Sequence, residues 1–96
     1  MSEPIRITNQ AANEMGWTFT VQVGEPPEEY KVTVYSEDHH RLTKGMTPPD
    51  ELVEKSFEFL LEREPKESIL RSFNINVISQ YFPDYEKDIQ ARVRQR

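Results

Sequence analysis

The sequence of 96 residues contains no cysteine. This absence excludes disulfide bonds, thiolate nucleophiles and thiolate metal ligands, and a chain that needs none of them fits a reducing cytoplasm. Long apolar segments are also missing, because no window approaches the ~18 apolar residues of a membrane-spanning helix. The N-terminus lacks the basic flank and apolar core of a signal peptide. We therefore expect a cytoplasmic protein with no membrane partner.

Basic residues and glycines are also few. The chain has 12 Lys and Arg against 17 Asp and Glu, which gives a net charge of -5. Repulsion from phosphates argues against nucleic-acid binding through the body of the domain and against an acidic partner. The 3 glycines cannot form a phosphate-cradling loop of known spacing, and no serine lies in a Gly-x-Ser-x-Gly context. We expect no catalytic residue and no cofactor.

The two histidines are adjacent, and Asp38-His39-His40 spells the signature of a phosphoesterase family whose metal site takes further ligands from a much longer chain. Neighbouring positions on a helix point about 100° apart, so the two imidazoles cannot face one metal ion. No other histidine is present to complete a coordination shell. We expect solvated helix residues here and no metal site.

Alternation of apolar and polar residues predicts an antiparallel sheet near the N-terminus. Residues 17–23 and residues 30–35 both alternate, and the Gly and Pro residues between them predict a β-hairpin with a loop longer than two residues. Residues 5–8 alternate over a shorter span and could add a third strand. Residues 9–13 could equally begin an irregular loop.

The clearest helix covers residues 50–64 and is ended by Pro65. Its apolar residues occupy an arc of about 200°, wider than the stripe of an ordinary surface helix, so we expect the sheet to cover one flank and the C-terminal segments the other. Phe57, Leu60 and Leu61 should be buried. Thr47 is the expected cap of this helix, and a shorter helix should run from an N-cap at Ser36 to Lys44 and Gly45.

Three further helical segments are expected in the C-terminal third. Residues 66–73 look like one helix, residues 74–76 like a break, and residues 77–82 like one and a half turns before Pro83. Tyr85, Ile89 and Val93 then form a stripe on a last helix. The whole chain is predicted to be a single two-layer α+β domain, with an antiparallel sheet of two or three strands followed by three to four helices packed on one face.

Two surfaces are candidates for a protein partner. The first is an acidic stripe on the main helix, which is either a solvated face or a docking surface for a basic partner: Glu51, Glu54, Glu58 and Glu62. The second is an aromatic group around Pro83, of which at least one member should be partly exposed: Tyr81, Phe82 and Tyr85. Packing in the core and a protein interface both explain such aromatic residues.

Nucleic-acid binding is the first alternative. Residues 69–82 have the rhythm of a helix-turn-helix, but residues 77–82 contain no Lys or Arg to face a groove. Arg92, Arg94 and Arg96 form a basic tail that could contact nucleic acid. Cations at a helix C-terminus also complement the helix dipole, which explains the same arginines without a ligand.

The sequence of residues 59–65 is FLLEREP, and that of residues 78–86 is ISQYFPDYE. Between them lie Ile69, Leu70 and Phe73. Together with residues 42–45 and 49–53, this pattern resembles a small family of bacterial proteins of unknown function. The resemblance covers roughly the C-terminal two-thirds of the chain and leaves out the first two strands. It implies a bacterial cytosolic origin and brings no activity and no site residues.

These observations favour a non-enzymatic protein-interaction or regulatory module. Its partner would be another protein, and a basic one would fit the acidic stripe. A homodimer could form through an edge of the sheet. The alternatives are a nucleic-acid-associated protein that uses the arginine tail and a small enzyme without a recognisable motif.

Overall fold

The structure is a computed structural model, and it describes residues 3–93. Four strands form one mixed sheet in the spatial order β1-β2-β3-β4. Neighbours among the first three strands are antiparallel, while β4 lies parallel to β3. The strands are β1 (Ile5–Asn13), β2 (Gly16–Val23), β3 (Glu28–Tyr35) and β4 (Ser72–Asn74).

The described residues also form four α-helices: α1 (Ser36–Thr43), α2 (Pro49–Arg63), α3 (Ile78–Tyr81) and α4 (Tyr85–Val93). Two 3-10 turns, Lys66–Ser68 and Ile75–Val77, flank β4 along the chain. The α+β class is confirmed, with one strand more than the sequence suggested and a parallel pair at one edge. No helix in the part of the chain described is both long enough and apolar enough to cross a bilayer.

The third strand is confirmed and is longer than its alternation suggested. Residues 9–13 continue β1 instead of beginning a loop, and a bulge between Ile7 and Asn9 separates them from the first half of the strand. Asn13 closes the turn to β2 because its Oδ1 accepts hydrogen bonds from the backbone amides of Met15 and Gly16. Asparagine forms such turns readily.

The predicted helix over residues 66–73 is wrong. The segment makes a single 3-10 turn at Lys66–Ser68 and then enters β4. The backbone amide of Lys31 in β3 donates to the carbonyl of Arg71, and β4 continues the pairing in parallel register. The edge of β3 needs backbone partners, and this requirement overrides a local helical pattern.

Two predicted helix caps are also wrong. Tyr35 occupies the N-cap position of α1, and the Ser36 hydroxyl instead donates to the carbonyl of Met15. Pro48 holds the N-cap position of α2, while the Thr47 hydroxyl donates to the carbonyl of Val93 at the end of α4. Both hydroxyls therefore join segments that are distant in sequence.

Helix α2 is covered on two flanks, as its broad apolar arc predicted. Phe57 packs its ring against Tyr30 of the sheet, at 5.3 Å between ring centroids. Phe59 packs against Phe82 and Tyr85 of the C-terminal segment, at 5.8 and 5.2 Å. Fully buried side chains on both flanks explain why so many apolar residues are concentrated in this helix.

The details of burial follow the sequence with two exceptions. Phe57 and Leu60 are buried, but Leu61 is only half-buried. The predicted stripe on the last helix is confirmed, because Tyr85, Ile89 and Val93 all lie in the core. Of the four glutamates expected in water, two are exposed and two are half-buried: Glu54 and Glu62 are exposed, Glu51 and Glu58 half-buried.

Candidate interaction groove

A groove of about 310 Å³ lies where the end of α2, the segment leading into β4, and α3 meet. Most of its lining is apolar, and the main contributors are Leu60, Ile69, Leu70, Phe73, Tyr81 and Phe82. Glu64 and Ser68 add polar groups to the wall.

The local sequence explains how the groove forms. Pro65 forces α2 to end, since proline cannot continue the helical hydrogen bonding, and the chain turns away from the helix axis. Ile69 then enters the core while its neighbour Leu70 stays at the surface. The short helix α3 is a single turn that buries Ile78 and leaves Tyr81 outside. Both short segments line one concavity together with Leu60 of α2.

The groove concentrates exposed apolar surface. Leu70 is 50% exposed and Tyr81 is 66% exposed, and both line the same concavity. They are two of the four large hydrophobic side chains that are exposed within residues 3–93, the other two being Met15 and Met46. Contiguous apolar surface in a concave place is typical of binding sites, whereas single exposed residues are ordinary.

The charge around the groove is acidic. Glu64 is the charged residue of its wall. The cations nearest in sequence are all engaged with acids: Arg63 with Asp84 at 2.8 Å, Lys66 with Glu3 at 3.1 Å, and Arg71 with Glu28. A ligand in the groove would therefore meet a carboxylate without a competing cation on the wall.

The predicted aromatic group is divided by the structure. Tyr81 and Phe82 line the groove, and Phe82 also packs edge-on against Phe59 in the core. Tyr85 does not take part, because it is buried and its hydroxyl lies 2.7 Å from the hydroxyl of Ser56. Burial raises the pKa of Tyr85, so it stays neutral at physiological pH. The expectation that at least one of the three is exposed is confirmed by Tyr81.

The acidic stripe is partly compensated by cations of the same chain. Glu62 accepts a hydrogen bond from Arg92 at 2.6 Å, and this bond lowers the pKa of Glu62. Glu58 lies 3.9 Å from the ammonium group of Lys55. As a docking surface for a basic partner the stripe stays a prediction, with less unbalanced charge than the sequence suggested.

Arg92 is used inside the fold. Its guanidinium contacts Asp88 on its own helix and Glu62 on α2, at 2.5 and 2.6 Å. The hydrogen bond to Glu62 raises the pKa of Arg92. The contact with Glu62 attaches α4 to α2, and nucleic-acid binding by Arg92 would have to compete with both contacts. Arg94 and Arg96, the other two arginines of the predicted tail, lie outside the described residues.

The two histidines have different surroundings. His39 donates from Nε2 to the carbonyl of Thr47, and its ring meets the edge of Trp17 at 5.1 Å between centroids. His40 is exposed. Within residues 3–93 no group of three or more possible metal ligands comes together.

Sequence reasoning missed the polar network around Asp38 and most of the groove. Asp38 is buried and accepts hydrogen bonds from Arg41 and from the side-chain amide of Asn76, which lies 38 residues further along the chain. Nothing local in the sequence points to that partner. The sequence does indicate exposed apolar surface near the groove, since residues 69–82 contain more apolar side chains than a few short segments can bury.

Comparisons with protein-family models, with curated proteins and with solved structures found no match for this chain. Function is therefore inferred from the geometry.

Proposed function

We propose that this protein is a non-enzymatic interaction module, and that its groove binds a segment of another protein that carries an apolar side chain next to a basic one. The observation that supports this proposal most directly is the pair of exposed side chains, Leu70 and Tyr81, in the lining of one mostly apolar concavity that also contains the carboxylate of Glu64.

The apolar part of the interaction would supply most of the affinity. Burying one aliphatic or aromatic side chain contributes about 1.5–3 kcal/mol, and Leu70 and Tyr81 would lose their own exposed apolar surface at the same time. The groove volume of about 310 Å³ lies at the lower limit of small-molecule pockets, which suits a few side chains of a peptide.

The basic part of the interaction would supply orientation. Glu64 is half-buried at the C-terminal end of α2, where the helix dipole adds partial negative charge. A lysine or arginine of the partner placed there would be attracted by both. Since charges near an interface rim act mainly on specificity and association rate, added salt should weaken binding only moderately.

The proposal can be tested with a library of random displayed peptides selected against the wild-type protein. We expect the selected peptides to share an apolar residue beside Lys or Arg. A synthetic peptide from the selection should bind Leu70→Ala and Tyr81→Ala about 5- to 30-fold more weakly, the range expected for the loss of one or two kcal/mol. Both positions are exposed, so the variants should remain folded.

Matched controls distinguish binding in the groove from nonspecific binding to exposed apolar side chains. Met46→Ala removes an apolar side chain outside the groove that is more exposed than Leu70 or Tyr81, and it should leave binding unchanged. Glu64→Gln should weaken binding of peptides with the basic residue, while Glu54→Gln should not. Peptides that bind the groove variants as tightly as wild type would refute the proposal. A small apolar molecule retained in the native mass spectrum, and lost in Leu70→Ala, would identify a different occupant and refute it as well.

A further inference from the structure

Strand β1 presents an outer edge of the sheet, because within residues 3–93 the strand order gives it β2 as its one neighbour. The strand is nine residues long, and residues 8–13 are exposed. An edge strand carries a row of backbone amide and carbonyl groups that no strand of the same sheet pairs with.

The usual protections of such an edge are weak here. Charged side chains, prolines and bulges discourage pairing with another chain. A bulge interrupts β1 at Thr8, but residues 9–13 then pair regularly with β2 up to Gly16. These five residues, Asn9, Gln10, Ala11, Ala12 and Asn13, include no charge and no proline.

Opposite charges bracket this segment. Arg6 precedes it and Glu14 follows it, and both side chains are exposed. Neither makes an ion pair with another residue of the described range 3–93. If two copies of β1 lie antiparallel with Gln10 of each copy at the two-fold axis, Arg6 of one copy lies at the same end of the pairing as Glu14 of the other, which begins the turn after β1. A parallel arrangement would place like charges together.

From this complementarity we propose that a second copy of the chain pairs with β1, so that two sheets join antiparallel about a two-fold axis. A two-fold axis makes every contact occur twice, so the two charge pairs act together. This interface lies at the edge of the sheet opposite to β4, and it does not depend on the proposed role of the groove.

The proposal is tested by sedimentation equilibrium of the full chain over a range of concentrations, with charge reversals. Wild type should dimerise. Arg6→Glu and Glu14→Arg should each weaken the dimer about five- to thirty-fold, because each change replaces two attractions with two repulsions. The double variant Arg6→Glu/Glu14→Arg should restore the dimer, since the charge pattern is only inverted. Lys87→Glu, which changes the net charge as Arg6→Glu does but lies on α4, should have no effect.

Hydrogen exchange provides a second measurement that does not depend on charge. In a single copy, alternate amides of residues 9–13 face away from β2 and should exchange fast. In the proposed dimer both sets should be protected. A wild type that is monomeric at every concentration would overturn the proposal. So would a dimer that is insensitive to both single reversals, or a double variant that is folded but remains monomeric.

Discussion

The buried contact between Ser56 and Tyr85 allows a quantitative test of how α4 is attached to α2. Both residues are 1% exposed. The Ser56 hydroxyl donates to the carbonyl of Leu52 at 2.8 Å, so its single hydrogen is used and the Tyr85 hydroxyl must donate to Ser56 Oγ. The Tyr85 hydroxyl therefore needs Ser56 as its acceptor, whereas the Ser56 hydroxyl keeps its acceptor, the Leu52 carbonyl, without Tyr85.

These donor and acceptor roles determine how much free energy of unfolding each variant should lose. Tyr85→Phe removes one net hydrogen bond, about 0.5–1.5 kcal/mol, and Ser56 keeps its bond to Leu52. Ser56→Ala leaves a buried phenol without an acceptor, which costs about 1–3 kcal/mol, reduced by about 0.5 kcal/mol because alanine favours the helix. The double variant leaves no orphaned phenol. We expect it to be about as stable as Tyr85→Phe, so the sum of the two single losses should exceed the double loss by the whole Ser56→Ala loss, about 0.5–2.5 kcal/mol.

Urea unfolding followed by circular dichroism measures these differences, and each 1 kcal/mol should also lower Tm by about 4–8 °C in a domain of this size. Tyr81→Phe is the matched control, because it removes an exposed hydroxyl and should be nearly neutral. Strictly additive losses would show that the assigned donor and acceptor roles are wrong.

Three further measurements test other properties of the fold. Burial raises the pKa of Tyr85 and of Tyr30, while unfolded tyrosines ionise near pH 10. The contribution of these tyrosines to the free energy of unfolding should therefore be complete below about pH 10 and decrease above it. Tyr85→Phe should reduce this decrease, measured as the urea midpoint against pH. The Arg92 hydrogen bond lowers the pKa of Glu62, so this carboxylate stabilises the fold above its unfolded pKa of about 4.3, and the contribution is lost as pH falls through the lower folded pKa. Arg92→Gln should remove that part of the acid dependence and lower the free energy of unfolding at neutral pH by about 0.2–1 kcal/mol, measured by the same urea unfolding. An unchanged loss of stability at acid pH would contradict this prediction. Gly16→Ala should lower the free energy of unfolding by about 1–3 kcal/mol. The reason is that Gly16 has φ 153° and a Cβ there would lie 2.9 Å from the backbone nitrogen of Ser36. A Tm equal to that of wild type would contradict this prediction.

The sequence predicts those elements whose signal is local. Alternation identifies β2 and β3 because each has one face in the core, and the apolar arc of α2 correctly requires cover on two flanks. Strand β4 could not be found this way, since three residues are too few to alternate and its partner residues 31–33 lie about 40 positions earlier. The helical pattern of residues 66–73 was therefore interpreted without the pairing that decides the structure.

The candidate site was predicted in part for the same reason. The aromatic residues next to Pro83 predicted a partly exposed aromatic surface, because a short segment before a proline cannot bury every aromatic residue. Tyr81 and Phe82 do line the groove. Tyr85 was misplaced in that group, although its spacing with Ile89 and Val93 already indicated the core. Leu70 was not selected, since its position at the surface depends on the strand conformation that follows.

The two proposed surfaces make a joint prediction, because they lie at opposite edges of one sheet. A dimer joined through β1 would hold two grooves beside the two β4 strands, both open to a partner. A peptide with one binding segment should then bind wild type and Arg6→Glu equally. A tandem peptide with two segments and a linker that spans the dimer should bind wild type about 10²- to 10⁴-fold more tightly than the single segment, and lose this gain with Arg6→Glu. Calorimetry with both peptides measures the ratio, and the double variant Arg6→Glu/Glu14→Arg should recover it. A tandem gain that survives in a monomeric variant would mean that both segments bind one copy, which would contradict the joint prediction.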